Sequence, residues 1–237
     1  MKRMRRVALL IIGILSATLL VVPAADATLV PPGASGLPPD VFTTLGPLAP
    51  GVSTASGTSS NSNFSVQWVA EVHTGNTFCA GCLDFVYQVT NRTTNPTPSG
   101  STDPLNRITA SNLIGAGTFA GFSTDVGFFA GAGPLGLGTV PPLSVDRFTA
   151  ATVGFQFAPS NPIDPGSTTR VLVISTDATH FLAGSLNFID GDVLRVTAFA
   201  PNSAFPPTQV PEPATLLLIG GGLVGLGLAS RRIRRAR

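Results

Sequence analysis

FSVQWVAEV, residues 64–72, and LDFVYQVT, residues 83–90, carry the clearest periodicity in this chain of 237 residues. In the first, Phe64, Val66, Trp68, Ala70 and Val72 share one face, with Ser65, Gln67, Val69 and Glu71 on the other. In the second, Leu83, Phe85, Tyr87 and Val89 alternate with Asp84, Val86, Gln88 and Thr90. A period of two is the pattern of a half-buried strand, because successive Cβ atoms point to opposite faces of a sheet. His73 to Cys82 lies between the two runs and reads as a hairpin loop.

Similar short runs follow at Arg107–Ile114, Phe119–Phe129 (with a break near Thr124), Thr152–Phe157, Arg170–Ser175, Leu186–Ile189 and Val193–Phe199. NFIDGDVLRV sets Asp190-Gly191 between two apolar runs, a strong hairpin signal. No window of the body keeps a helical period. Seven or more short strands separated by turn residues predict an all-β body, an antiparallel β-sandwich or jelly-roll-like fold, over residues 64–200. Residues 28–63 hold Pro31-Pro32, Pro38-Pro39, Pro47, Pro50-Gly51 and the polar run SGTSSNSN, and read as an extended lead-in or irregular edge. Residues 201–213 form a second linker rich in breakers.

Both ends differ from this body. Lys2, Arg3, Arg5 and Arg6 precede an uncharged apolar stretch from Val7 to Val22, and Ala25-Asp26-Ala27 supplies a small-x-small cleavage pattern. Residues 1–27 are therefore expected to be a signal peptide, recognised at Ala25 and Ala27 by signal peptidase, with Thr28 first in the mature chain. At the other end, residues 214–230 are 17 uncharged positions, about 26 Å long if helical. That is slightly short of a ~30 Å hydrocarbon core. Arg231, Arg232, Arg234, Arg235 and Arg237 compensate, since long side chains snorkel and positive charge stays on the cytoplasmic side. A single C-terminal transmembrane helix with a basic cytoplasmic tail at 231–237 is the expectation.

The formal charge of +2 belongs to those ends. Between Thr28 and Val210 there are five arginines, no lysine, nine aspartates and one glutamate, a net charge of −5. A lysine-free acidic body lacks the clustered cations that nucleic acid or an anionic membrane surface requires.

Few residues suggest chemistry. Cys79 and Cys82 form the only cysteine pair, in a loop rather than at a helix N-terminus, where a redox C-x-x-C is activated. In an oxidising setting a structural disulfide is the expected outcome, with a thiol-disulfide role as the alternative. A metal site needs about four ligands, and only His73 and His180 could join the two sulfurs. Gly131 to Gly136 matches G-x-G-x-x-G, yet GPLGLGTVPP cannot propagate the helix that receives a pyrophosphate, and it reads as a flexible loop. Asp164, Asp190 and Asp192 lie in turns without the spacing of a calcium loop. Asn91-Arg92-Thr93 is a formal glycosylation sequon. No catalytic or cofactor-binding residue is assigned.

Val210-Pro211-Glu212-Pro213, a Gly-rich apolar stretch and a terminal arginine cluster together resemble the PEP-CTERM sorting signal of exported bacterial proteins. The resemblance implies recognition of Pro211, Glu212 and Pro213 by an exosortase, a membrane-embedded cysteine protease or transpeptidase, removal of the tail after transient anchoring in the inner membrane, and release to the cell surface or outside it. Such proteins often occur in bacteria that make exopolysaccharide and biofilm. LDFVYQVTN (83–91), VGFQF (153–157) and VLVISTDATHF with the following DVLRVTAFAP resemble recurring blocks of one subgroup. The Cys79/Cys82 pair departs from that shared pattern. The expected role is that of a non-enzymatic structural protein of the surface or extracellular matrix, the alternative being a module that binds carbohydrate or exopolysaccharide.

Overall fold

A computed structural model describes residues 28–97, 100–112 and 118–202. The expected signal peptide and transmembrane helix, the sorting triplet and the terminal arginines lie outside the described residues.

The described chain is all-β: β1 Asp40–Phe42, β2 Thr54–Ser60, β3 Ser65–Thr74, β4 Leu83–Asn91, β5 Arg107–Asn112, β6 Thr124–Phe129, β7 Ser144–Thr149, β8 Thr152–Gln156, β9 Val171–Thr176, β10 Phe181–Asp190 and β11 Asp192–Pro201. They form two sheets, in the orders β1-β6-β9-β4-β3-β2 and β11-β10-β5-β8-β7. Every pairing is antiparallel except that of β1 with β6, which is parallel and makes the six-stranded sheet mixed.

Apolar residues of both sheets meet in one core, as in a sandwich. Trp68, Phe85, Tyr87, Leu172 and Ile174 come from the six-stranded sheet, and Ile108, Val153, Phe155, Leu186 and Phe188 from the five-stranded one. The alternating runs at 64–72 and 83–90 form β3 and β4, paired over Val66↔Asn91 to Thr74↔Leu83. Asp190-Gly191 closes the β10–β11 hairpin, with Gly191 at φ 67°, a left-handed conformation that side chains other than glycine's rarely tolerate.

Residues 28–63 are more integrated than a lead-in. They contribute β1 and β2 at opposite edges of the six-stranded sheet, and Val30 and Ala49 are buried in the core. Breakers set the bends between these short pieces without preventing them from pairing. A further strand, β7, contains Arg147 on its core side, which interrupts the apolar alternation that sequence patterning relies on.

The outer face of the six-stranded sheet is covered as well. Val86, Val171 and Val173 form a second, smaller apolar cluster, packed under Phe42, Leu45 and Phe129. Gly127 permits this, because a Cβ there would collide with the backbone of Asp40. Nearly all of β4 is consequently buried on both faces, including Asp84 and Gln88.

Candidate functional site

The strap from residue 40 onward crosses a row of polar residues on that outer face. Register places Asp84 of β4 opposite Ser175 of β9, and Ser175 opposite Asp125 of β6. Two interstrand steps of about 4.8 Å separate the backbones of the two aspartates by about 10 Å. Above them lies a cavity of about 450 Å³, lined by Asp40, Phe42, Asn76, Asp84, Asp125 and Ser175 among others.

The two buried acids are handled differently. Asp84 Oδ1 accepts hydrogen bonds from Ser175 Oγ at 2.5 Å and Asn76 Nδ2 at 3.0 Å. Burial raises its pKa, opposed by those bonds and by His73, which faces it across the β3–β4 ladder. Asp125 is 2% exposed, and its Oδ1 has no hydrogen-bond partner. Burial, then a hydrogen bond with Asp40 and the charge of Asp40, push its pKa up to about 8. Asp125 thus holds a proton near neutral pH in a place where an ordinary aspartate has none.

Cys79 and Cys82 border this region and are joined in a disulfide, with Cα atoms 5.0 Å apart. Asn76 orders their loop: its Oδ1 accepts from Phe78 N at 2.9 Å, while Nδ2 also donates to Thr176 O at 3.0 Å. The loop contains no helix whose dipole could activate a thiol.

The other sequence candidates lie apart from the cavity or are engaged structurally. His73 places Nδ1 2.7 Å from Gly46 O and Nε2 3.1 Å from Glu71 Oε2, whereas His180 Nδ1 is 3.0 Å from Thr179 Oγ1. The glycine-rich segment forms a tight turn with reciprocal Gly133–Gly136 hydrogen bonds. Gln88 grips it, donating from Nε2 to Gly136 O and accepting at Oε1 from Leu135 N. The expectation of a flexible loop is corrected by these bonds. Asn91 is fully buried and its amide donates to Asp103 O and Ile163 O, so the sequon offers no accessible acceptor. Asp190 Oδ1 accepts from Asn106 Nδ2 at 3.0 Å, and Asp192 Oδ2 from Asn61 Nδ2 at 3.4 Å. Trp68 is 7% exposed and Tyr87 is fully buried, its hydroxyl donating to Phe199 O, so neither ring is presented for stacking on a sugar.

Sequence reasoning missed Asp40, Asp84 and Asp125 as a group, because their meeting depends on β1 returning to β6 across more than eighty intervening residues. It also missed Arg147, which is 2% exposed and donates to Phe119 O at 2.7 Å, Thr124 Oγ1 at 3.0 Å and Val30 O at 3.4 Å. Burial lowers its pKa, opposed by the charge of Asp177.

The tail supplies the family evidence. Residues 209–235 match the PEP-CTERM protein-sorting motif. The PEP-CTERM match includes Pro211, Glu212 and Pro213 and four of the five terminal arginines, with Arg237 beyond it. A PEP-CTERM motif marks the chain for export and handling by an exosortase. No curated protein and no solved structure matches the chain.

Proposed function

We propose that this is a non-enzymatic exported protein that serves as a structural component of the cell surface or extracellular matrix, delivered there by exosortase processing of its PEP-CTERM tail. The observation that carries this reading is the sorting motif at residues 209–235, placed after an all-β body. Extensive burial supports a structural role: ten-residue strands β10 and β11 pair along their whole length, and the buried polar side chains bond mostly to neighbouring strands and turns. The inner-membrane stage is transient in this reading. It ends when Pro211-Glu212-Pro213 is recognised and the apolar segment is removed.

Mass spectrometry of the terminal peptides of the exported protein tests the claim. Thr28 is expected at the start, with nothing beyond the Pro-Glu-Pro region at the end. Recovery of peptides containing Arg237 from extracellular material overturns the processing step. Deleting the exosortase is expected to leave the intact tail in the membrane fraction.

A further inference from the structure

Asp40 pairs with Gly127 of β6, two residues along from Asp125; both acids line the same cavity, and Asp125 presents a buried oxygen with no partner. Two carboxyl groups in such a place require a shared proton or a nearby positive charge. Among the described residues no three acidic, histidine or cysteine side chains converge to hold a metal ion. A nitrogen of the chain itself is already in place: Thr28 N donates to Asp40 Oδ2 at 3.0 Å.

Residues after Thr28 hold that nitrogen there. Leu29 bridges to Asp125 in the backbone, Val30 N donates to Thr124 O at 2.8 Å, and Val30 O accepts from Thr124 Oγ1 and Arg147 Nη1. None of these contacts uses a residue before Thr28. Sequence patterning independently makes Thr28 the first residue after cleavage at Ala25-Asp26-Ala27.

We infer that leader removal turns Thr28 N into an α-ammonium seated on the Asp40 carboxylate, so that the export cleavage itself installs the cation of the Asp40/Asp125 site and locks the new terminus to β6. Water hydrolyses the Ala27–Thr28 peptide bond, the leader departs with the Ala27 carboxylate, and the released Thr28 amine takes up a proton. The neutral N–H···O bond becomes a charge-assisted one. The inference rests on cleavage at Ala27.

The groups facing the new terminus are Asp40 on β1, Asp125 on β6, Asp84 across Ser175 on β4, and Arg147 on β7 at the Val30 carbonyl. An α-ammonium ordinarily titrates near pH 7.7–8.0, and pairing with Asp40 raises that value. The stabilisation is therefore fully present below about pH 7.7 and lost as pH rises through the raised value.

Residues 28–237 can be produced with a free Thr28 terminus and with a Gly-Ser extension ahead of it. At pH 6.5 the free form is expected to melt about 2–4 °C higher, to lose that advantage at pH 10, and to show a lower Asp125 carboxyl pKa by ¹³C NMR. In Asp40→Asn the two forms should melt together. Equal melting of the unsubstituted forms at pH 6.5, or an advantage that survives Asp40→Asn, overturns the ammonium site. An N-terminus other than Thr28 in the exported protein overturns the cleavage step instead.

Discussion

The two faces of the six-stranded sheet solve burial in different ways. On the inner face, Phe85, Tyr87, Leu172 and Ile174 pack against the opposite sheet, and Phe85 meets Phe119 edge to face with centroids 5.6 Å apart. On the outer face, alternate residues of the same strands place Asp84, Val86, Val173 and Ser175 beneath a short strap that ends its pairing at Phe42. The inner face is mainly apolar, with a few buried polar side chains at strand ends such as Asn91, Thr124 and Thr176, whereas the outer face mixes a small apolar cluster with a row of acids. Stability is expected to reside mainly in the first face and pH sensitivity in the second.

Adjacent substitutions on β4 test that division. Phe85→Ala should destabilise the protein by about 3–5 kcal/mol, the range for deleting a buried aromatic ring. Val86→Ala, one residue along and facing outward, should cost about 1–2 kcal/mol, because two methyl groups leave a smaller cluster. Urea unfolding of the mature chain measures both. A near-zero cost at Val86 would mean that the strap does not exclude water.

The strands on the inner face were legible from alternation alone, since Leu83, Phe85, Tyr87 and Val89 all turn to the core as their spacing requires. The opposite positions were misleading. Asp84 and Gln88 carry the polarity of a solvated face, yet both are buried by segments distant in sequence, residues 40–46 and 131–136. Thr54–Ser60 gave no apolar signal because an edge strand can pair through its backbone while presenting serine and threonine. The acidic site was hidden for the same reason. Local periodicity identifies which face a residue takes, and only tertiary return of the chain determines what covers that face.

A smaller effect, visible as a pH dependence, belongs to the outer face. Asp125 retains its proton in the fold up to about pH 8 with residue 28 as an ordinary amide, compared with 3.8 for an unperturbed group. Between those values the folded state binds more protons than the unfolded state, so stability falls as pH rises and levels off above the folded pKa. Asp125→Asn should reduce that slope and stabilise the protein at pH 8, because the amide keeps the carboxyl's shape and cannot become a buried charge. Asp84, shifted in the same direction, accounts for slope that remains. Melting curves from pH 4 to 9 provide the measurement, and an unchanged slope would remove Asp125 from the account.

A modest effect, of the size expected at Val86, is predicted for the Cys79–Cys82 disulfide, although it is the most conspicuous sequence feature of the region. Closing so short a loop restricts the unfolded chain by only about 2 kcal/mol in the chain-entropy model. Part of that order is already supplied by Asn76, which bonds Phe78 N, Asp84 Oδ1 and Thr176 O. Reduction, or replacement of both cysteines by serine, should therefore lower stability by about 1–2 kcal/mol while leaving the pH dependence of Asp125 intact. Asn76→Ala should cost at least as much, since it removes a donor from buried Asp84 as well as the loop's anchor. If cysteine replacement also altered the Asp125 titration, the disulfide would be part of the acidic site rather than a clasp at its border.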